Sequence, residues 1–453
     1  MTRYAADLAW LPQGWEAGVA FDVVDGRFAR VDGGADDGER IGRYVVPGMP
    51  NLHSHAFQRA MAGLAERQTN PEDSFWTWRE TMYAFAGRVG PDELRAIAAQ
   101  LYVEMLEAGY TQVCEFHYLH HRPDAQPYPD AAAMSLALVD AAREAGIGLT
   151  LLPTLYQTGG FDGRALGERQ RRFGHATDAY LRLVERLRAL EDATLRVGVA
   201  LHSLRAVPPD ALNAVLGSGL VDDAPIHIHI AEQIGEVQDC LALRNARPVE
   251  WLLANAPVDA RWTLVHATHL TDDETRRLAA SGAIAGLCPT TEANLGDGLF
   301  PLKAYLDAGG VFGIGSDSHI SVSPIEELRW LEYGQRLATR HRNIAVSSSS
   351  SSVGETLWGD ALYGGALSAG QAIGAIAGGD EATRADLLVL DDAAPQFAGR
   401  DAEHLIDTLI FAGNRNLVRD VMVNGQWRVR DGRHIERERI ARRYRETVEK
   451  LAS

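Results

Sequence analysis

Apolar, β-branched runs alternate with helix-like stretches through the middle of this 453-residue chain, and this alternation constrains its fold more than any other feature. A buried parallel strand reads as a short apolar run, and a helix usually connects it to the next strand. Eight strand candidates occur in this order: Val45–His53, Thr111–Tyr118, Ile147–Leu155, Arg196–Ser203, Pro225–Ala231, Thr263–Ala267, Ala283–Pro289 and Val311–Asp317. Eight strands separated mostly by helices predict a (β/α)₈ TIM-type barrel.

An open, doubly wound sheet is the alternative fold for alternating strands and helices. That fold places a glycine-rich phosphate-binding turn after its first strand. No such turn follows the first apolar run here, where the sequence continues PGMPNLHSHAFQR. The barrel is therefore the favoured architecture.

The two ends of the chain carry short β signals that differ from the pattern of the middle. Phe21–Val24 and Phe28–Val31 flank an Asp-Gly pair, which suits a tight hairpin turn. Ala385–Leu390 and Asp420–Val429 are β-rich in the same way. We therefore predict a small β-sandwich domain with a C-terminal helix, built from residues 1–46 and 383–453, beside a barrel domain over residues 47–382. The two ends could instead be unrelated sheet edges.

Six consecutive serines, Ser347–Ser352, form a low-complexity run. Such a run lacks the apolar side chains that pack into a core. We expect a mobile surface loop and assign it no chemistry.

Composition narrows the function classes. Lys and Arg number 44 against 61 Asp and Glu, which gives a formal net charge of −17 at pH 7. Nucleic acids and anionic membranes bind basic surfaces, so neither is an expected partner. Three cysteines without a CxxC pair exclude a disulfide framework and a thiolate zinc site, and they fit a reducing compartment. With no signal-like start and no apolar stretch near the roughly 18 residues that span a bilayer, we expect a cytoplasmic protein.

Potential metal ligands and acid–base groups stand at the ends of the predicted strands. Active sites of such barrels lie at the C-terminal ends of the strands, so these groups should meet. The i, i+2 spacing of the first two histidines places both imidazoles on one face of an extended segment, although a polar strand end could carry the same pair. The strand-end residues are His53 and His55 on the first strand, His202 on the fourth, His229 on the fifth, His266 on the sixth and Asp317 on the eighth. If the fifteen histidines were placed at random along the chain, so many of them would rarely fall at strand ends.

The residue types at these ends suit hydrolysis assisted by one divalent ion. Three histidines and one aspartate favour Zn²⁺, with Fe²⁺ or Mn²⁺ as alternatives. Of the pair His227 and His229, the second lies nearer the strand end, and we interpret the first as an interior histidine. Glu232 could move a proton from an activated water to a leaving nitrogen, or could be a glutamate at a helix N-terminus. His266 could stabilise the tetrahedral centre, or could be a structural strand histidine.

Together these residues resemble the amidohydrolase superfamily, over nearly the whole chain. The shared pattern is HxH on strand one, His-x-x-Glu at strand five, His on strand six and Asp on strand eight. No lysine ends the fourth strand, where members with two metal ions usually have a carboxylated one, so the chain resembles the mononuclear deaminase branch. Six strings resemble the formimidoylglutamate deiminase family in particular: NLHSHAFQRAMAG, SFWTWRETMY, EFHYLHH, GVALHSLRAV, HIHIAEQ and GSDSHISVSPIEELRWLEYGQR.

That resemblance implies an enzyme that acts on a linear amidine. It would hydrolyse N-formimino-L-glutamate to N-formyl-L-glutamate and ammonia in histidine degradation, as a homodimer. The implied metal ligands are His53, His55, His229 and Asp317. The catalytic residues would be Glu232 as the proton shuttle, His266, and Asp317 as both ligand and base. The implied substrate contacts are Gln58, Arg79, Tyr118, His202 and Arg205. The two arginines suit a small-molecule dicarboxylate, because a guanidinium binds a carboxylate bidentately, although each could instead form a surface ion pair.

Two other functions are compatible with the pattern. A mononuclear deaminase of a purine, pyrimidine or triazine ring would use the same metal ligands, but its flat substrate needs no pair of carboxylate-binding arginines. A catalytically silent barrel used for binding or assembly would be expected to have lost ligands, and all four are present.

Overall fold

The computed structural model describes residues 1–35, 37–66, 75–347 and 350–452. The strands, in chain order, are β1 (Thr2–Leu11), β2 (Gly14–Val24), β3 (Arg27–Gly33), β4 (Glu39–Pro47), β5 (Met49–Ser54), β6 (Tyr110–His117), β7 (Gly148–Leu155), β8 (Leu195–Val197), β9 (Val199–Ser203), β10 (Ile226–Ile230), β11 (Trp262–His266), β12 (Ile284–Leu287), β13 (Val311–Ile314), β14 (Leu387–Leu390), β15 (Val418–Val423), β16 (Gln426–Arg430) and β17 (Arg433–His434).

The helices cover the outside of the sheets and connect most of the parallel strands. They are α1 (Phe75–Ala86), α2 (Pro91–Ala108), α3 (Ala133–Ala145), α4 (Thr177–Arg188), α5 (Pro209–Leu216), α6 (Ile234–Arg244), α7 (Pro248–Asn255), α8 (Asp272–Ser281), α9 (Pro289–Leu295), α10 (Leu302–Asp307), α11 (Pro324–Thr339), α12 (Val353–Ala369), α13 (Leu405–Phe411) and α14 (Arg437–Ala452). Within the described ranges, no helix is both long and apolar enough to cross a membrane.

The middle of the chain forms the predicted parallel barrel. Its strands lie in the order β5-β6-β7-β9-β10-β11-β12-β13, and the short β8 pairs with β7. A parallel bridge between Ser54 and Asp317 joins the first of these strands to the segment that follows the last. The sheet is thereby nearly closed, and all strand ends that carry the predicted site point to one rim. The (β/α)₈ prediction is confirmed.

The predicted first strand, Val45–His53, is wrong as a single element. Its first half belongs to β4, which ends at Pro47 and pairs with β1 and β14 in the other sheet. The barrel strand begins at Met49, one residue after Gly48, where a β-carbon would lie 2.3 Å from the side chain of Thr111. Both halves are buried, so the apolar pattern continues across the change of sheet and conceals it.

The two ends of the chain meet in one sheet, in the order β17-β16-β15-β14-β4-β1-β2-β3. This sheet encloses a hydrophobic core of its own, which includes Phe21, Phe28 and Met422. The hairpin between β2 and β3 turns at Asp25 and Gly26, both with positive φ, as its Asp-Gly pair predicts. The β-sandwich built from both termini is confirmed, while the domain boundaries at residues 46/47 and 382/383 stay predictions.

The serine run ends in a helix cap. Ser348 and Ser349 lie outside the described residues, so the predicted mobility of the loop is not tested there. Ser352 is the N-cap of α12: its hydroxyl accepts the N–H of Glu355 at 3.0 Å and donates to Asp407 at 2.9 Å. This residue therefore has a structural role that the low-complexity interpretation missed.

We expect Ser352→Ala to lower the free energy of unfolding by about 1–2 kcal/mol, because it removes the cap of α12. Urea unfolding followed by circular dichroism measures the change. Ser351→Ala is the matched control, since Ser351 is exposed and surface substitutions usually change stability by less than about 0.5 kcal/mol. Coincident unfolding midpoints for the two variants would contradict the capping role.

Candidate active site

The closure of the barrel brings the predicted ligands of the first and last strands together. The N–H of His55 donates to the carbonyl of Asp317 at 3.1 Å, and the N–H of Asp317 donates to the carbonyl of His53 at 3.0 Å. This approach requires Gly315, because a β-carbon there would lie 2.7 Å from that of His53. The backbone contacts that close the sheet therefore also align the HxH pair with the aspartate.

The four predicted ligands lie around Nε2 of His53. Two groups of three residues that include His53 have ligand atoms within 4.8 Å of one another, His53 with His55 and Asp317, and His53 with His229 and His266. The Nε2 atom of His53 lies 3.2 Å from Nε2 of His55 and 3.0 Å from Nε2 of His229. Asp317 places Oδ1 3.4 Å from Nε2 of His53 and 3.3 Å from Nε2 of His55. All four residues are buried. As their i, i+2 spacing predicts, His53 at the end of β5 and His55 just after it place their imidazoles on the same face.

The protonation pattern of this cluster fits a cation. Nδ1 of His55 lies 2.8 Å from the carbonyl of Phe116, and Nδ1 of His229 lies 3.0 Å from the carbonyl of His202. A carbonyl only accepts, so each Nδ1 carries the hydrogen and each neutral ring directs the lone pair of Nε2 inwards. Burial lowers the pKa of both rings and of His53, which favours the neutral form. Such facing lone pairs repel one another unless a metal ion binds them, so the donor set fits a divalent ion.

Two more predicted residues lie beside the cluster. Nε2 of His266 is 3.9 Å from Oε1 of Glu232 and 3.8 Å from Oδ2 of Asp317. Burial raises the pKa of Glu232. Burial also acts to lower the pKa of His266, but the nearby carboxylates outweigh it and raise this pKa to about 10. The predicted acid–base pair is therefore next to the ligands.

Glu292 is a residue that the sequence reasoning missed. Its Oε1 lies 3.2 Å from Nδ1 of His266 and accepts the N–H of Cys288 at 2.9 Å. The contact holds the imidazole so that Nε2 faces Glu232 and Asp317. Glu292 follows the seventh barrel strand by five residues, in the first turn of α9, so a search beyond the last residue of each strand could have found it.

The five predicted substrate contacts line one cavity with the cluster. Gln58, Arg79, Tyr118, His202 and Arg205 share this cavity with His55, His229, Glu232, His266 and Asp317. The amide of Gln58 donates to the hydroxyl of Tyr118 at 2.9 Å. Every predicted site residue except His53 therefore lines this cavity, and His53, which contacts three of them, is fully buried.

The same cavity has aromatic walls that the sequence reasoning did not include, formed by Trp78, Tyr83, Tyr156 and Phe173. Tyr156 directly follows β7, so its position at a strand end was a usable signal. The other three come from α1 and from the loop before α4, whose placement no strand pattern indicates. His227, by contrast, donates from Nε2 to the carbonyl of Ser368 at 2.9 Å, in agreement with its interpretation as an interior histidine.

The comparisons with known proteins agree with this geometry. A family model described as the amidohydrolase family matches residues 44–428. The chain belongs to the amidohydrolase family. This amidohydrolase is 54% identical, over 455 aligned residues and 100% of both chains, to a Pseudomonas aeruginosa protein named formimidoylglutamate deiminase. The predicted resemblance is therefore confirmed.

Two further matches extend the comparison. A crystal structure of an amidohydrolase from Brucella melitensis superposes with a TM-score of 0.94 at 45% identity, and the match covers 100% of both chains. A Haloarcula marismortui protein named 5-methylthioadenosine/S-adenosylhomocysteine deaminase is 26% identical to the amidohydrolase over 398 residues, which are 88% of this chain and 84% of the relative. This chain is therefore also similar to a protein named for an adenosine derivative.

Proposed function

We propose that this protein is a metal-dependent hydrolase that converts N-formimino-L-glutamate to N-formyl-L-glutamate and ammonia, as a step of histidine degradation. The observation that carries the proposal is that Arg79 and Arg205 line the same cavity as the metal-ligand cluster. The full-length identity of 54% to a formimidoylglutamate deiminase supports the same reaction. This substrate has one amidine carbon to attack and two carboxylates to bind.

The arginines supply the local positive charge that an anionic substrate needs in a protein of net charge −17. A guanidinium binds a carboxylate through two parallel N–H bonds, which also orients the substrate. In this proposal Arg79 and Arg205 bind the carboxylates, while Gln58, Tyr118 and His202 position the formimino end near the cluster.

The chemical step uses the group of residues at the rim of the barrel. His53, His55, His229 and Asp317 would hold a divalent ion, whose chemistry when bound would be to lower the pKa of the water that attacks the formimino carbon. Glu232 lies close enough to take a proton from the attacking water and deliver it to the leaving nitrogen. His266 directs Nε2 to the same point and stabilises the charge that develops there, while Glu292 holds the opposite nitrogen of its ring. The second proton of the same water also passes to this nitrogen as its bond to carbon breaks, so the carbon becomes the formyl carbonyl and ammonia leaves.

Three finer features stay predictions. Zn²⁺ is the metal that three histidine nitrogens and a carboxylate favour. The family resemblance suggests a homodimer, and a role in amino-acid degradation suggests the cytoplasm. Among other functions, deamination of a ring amine is disfavoured by the paired arginines, and a catalytically silent barrel is disfavoured by the intact set of four ligands.

We expect Arg205→Met and Arg79→Met each to raise KM for N-formimino-L-glutamate by about 10- to 100-fold, because each removes a charge-assisted hydrogen-bond donor to a carboxylate. Steady-state ammonia release measures KM. Arg261→Met is the control, since Arg261 precedes β11 at the opposite end of the barrel and pairs with Asp259. If KM stays unchanged in both cavity variants, or if a ring amine is the better substrate, the dicarboxylate proposal fails.

A further inference from the structure

Gln170 holds two tyrosine hydroxyls at the wall of the cavity. Its Nε2 atom lies 2.9 Å from the hydroxyl of Tyr156 and 3.2 Å from that of Tyr83. Its Oε1 atom accepts the backbone N–H of Gly167 at 3.0 Å. Because a backbone N–H only donates, this contact determines which end of the amide is the oxygen. The NH₂ group must therefore face the two tyrosines and donate to both.

This arrangement leaves each tyrosine with a hydrogen to donate elsewhere. A phenol oxygen that accepts one hydrogen bond still carries its own O–H. Burial raises the pKa of Tyr83 to about 12, so this hydroxyl stays protonated at neutral pH. Both tyrosines line the cavity, and they are only 8% and 2% exposed.

Two arginines lie near these tyrosines. Arg79 and Arg205 line the same cavity, and the guanidinium of Arg79 lies 5.4 Å from the centre of the Tyr83 ring. Arg205 lies near both tyrosines and also near Glu236 and Glu232. Two cations and two neutral O–H donors form a surface that an anion with several acceptor oxygens complements.

We propose that Tyr83 and Tyr156 donate hydrogen bonds to a carboxylate of the substrate, and that Gln170 is the positioning residue that orients their hydroxyls. The inference rests on the proposed function, since it assigns the side chains that select its dicarboxylate. Packing alone does not account for the arrangement. Both rings lie near Phe173, with centroids 5.9 and 6.0 Å away, and phenylalanines would pack there equally well without an amide partner.

The first test removes only the hydroxyls. We expect Tyr83→Phe and Tyr156→Phe each to raise KM for N-formimino-L-glutamate about tenfold, and the double variant about a hundredfold, with kcat nearly unchanged. Tyr305→Phe is the matched control, because the Tyr305 hydroxyl is bonded to the carbonyls of Ala283 and Val311 outside the cavity. If KM of the double variant equals that of the control, the proposal is overturned.

The second test asks whether the hydroxyls act on a carboxylate. Two truncated substrates, N-formimino-4-aminobutanoate and N-formimino-L-norvaline, each lack one carboxylate. One of these two substrates lacks the carboxylate that the tyrosine hydroxyls would bind. For that substrate, the double phenylalanine variant should raise KM only about twofold relative to the wild type. An equal penalty on all three substrates would overturn the assignment.

The third test concerns Gln170. In Gln170→Glu the carboxylate accepts both tyrosine hydrogens, so KM should rise although both hydroxyls remain. The same substitution in the double phenylalanine variant should change KM by less than about twofold, because no hydroxyl is left to redirect. If Gln170→Glu raises KM equally in the wild type and in the double phenylalanine variant, the new carboxylate simply repels the anionic substrate. That result would overturn the positioning role of Gln170.

A binding measurement separates this inference from the proposed function. Calorimetry with the dicarboxylate N-formyl-L-glutamate should give a Kd about a hundredfold weaker for the double variant than for the wild type. If the wild type releases no ammonia from N-formimino-L-glutamate but shows this difference, the proposed function fails and the inference stands. If the wild type does not bind the dicarboxylate, or if Kd is equal in both proteins, the inference fails.

Discussion

Removal of the divalent metal is expected to reduce ammonia release from N-formimino-L-glutamate to background, and restored Zn²⁺ should return it. The reason is that water with a pKa of about 15.7 is a poor nucleophile at neutral pH until a bound ion lowers that pKa towards 7. In the described part of the chain, the Nε2 atoms of His53, His55 and His229 face one another and the carboxylate of Asp317, an arrangement that a divalent cation would complete. The ion should also raise Tm, because it binds only the folded site.

The assay is ammonia release before dialysis against chelator, after it, and after addition of Zn²⁺, with metal content measured in each sample. The strand β10 offers a matched pair of variants. His229→Asn should lose the metal, whereas His227→Asn should keep it, because His227 contacts the carbonyl of Ser368 instead. Full activity in protein verified to be free of metal would contradict the mechanism.

Substitution of Glu232 by Gln is expected to lower kcat by about 10²- to 10⁴-fold, which is the usual contribution of a general acid–base residue. Gln has nearly the same shape as Glu but cannot carry a proton from water to the leaving nitrogen. Metal content should be unchanged, because Glu232 lies outside the group of four ligands. The measurement is kcat with N-formimino-L-glutamate, together with the metal content of the same sample.

Glu236→Gln is the control for this variant. Glu236 also lines the cavity: one of its oxygens accepts the N–H of Glu232 at 3.2 Å, and its charge acts on Arg205, so its substitution should affect KM rather than proton transfer. We expect a change in kcat of less than about tenfold there. If Glu232→Gln keeps more than about a tenth of the wild-type kcat, Glu232 is not the first proton acceptor. That role then belongs to Asp317, the other carboxylate within reach.

The strand-end residues could be predicted from the sequence because parallel strands in a barrel all point to one rim. The positions of their strands were enough to predict His229 and His266 as site residues. For His53 and His55, the i, i+2 spacing predicted that both imidazoles lie on one face. The alternation of strands and helices was sufficient for the fold class. The change of sheet at Gly48 was not predictable, since the end of β4 and the start of β5 on either side of it are both buried.

The features that escaped prediction depend on tertiary contacts. Gln170 lies 87 residues after Tyr83 of α1 and 14 residues after Tyr156, and no local pattern encodes the meeting of these three side chains. The backbone of His266 and of Asp317 has φ of 68° and 44°, in the left-handed region that residues other than glycine rarely adopt. Such conformations occur at functional sites, where the surrounding structure holds them.

The central claim is that the cavity selects a linear formimino dicarboxylate, and a substrate panel with ammonia detection tests it most directly. The panel compares N-formimino-L-glutamate with formimino derivatives of neutral amino acids and with ring amines such as adenosine, at equal enzyme and metal concentrations. We predict that kcat/KM for N-formimino-L-glutamate exceeds every other value by at least about 100-fold, since the other compounds leave buried donors of the cavity unpaired. A ring amine with the highest kcat/KM would contradict the account.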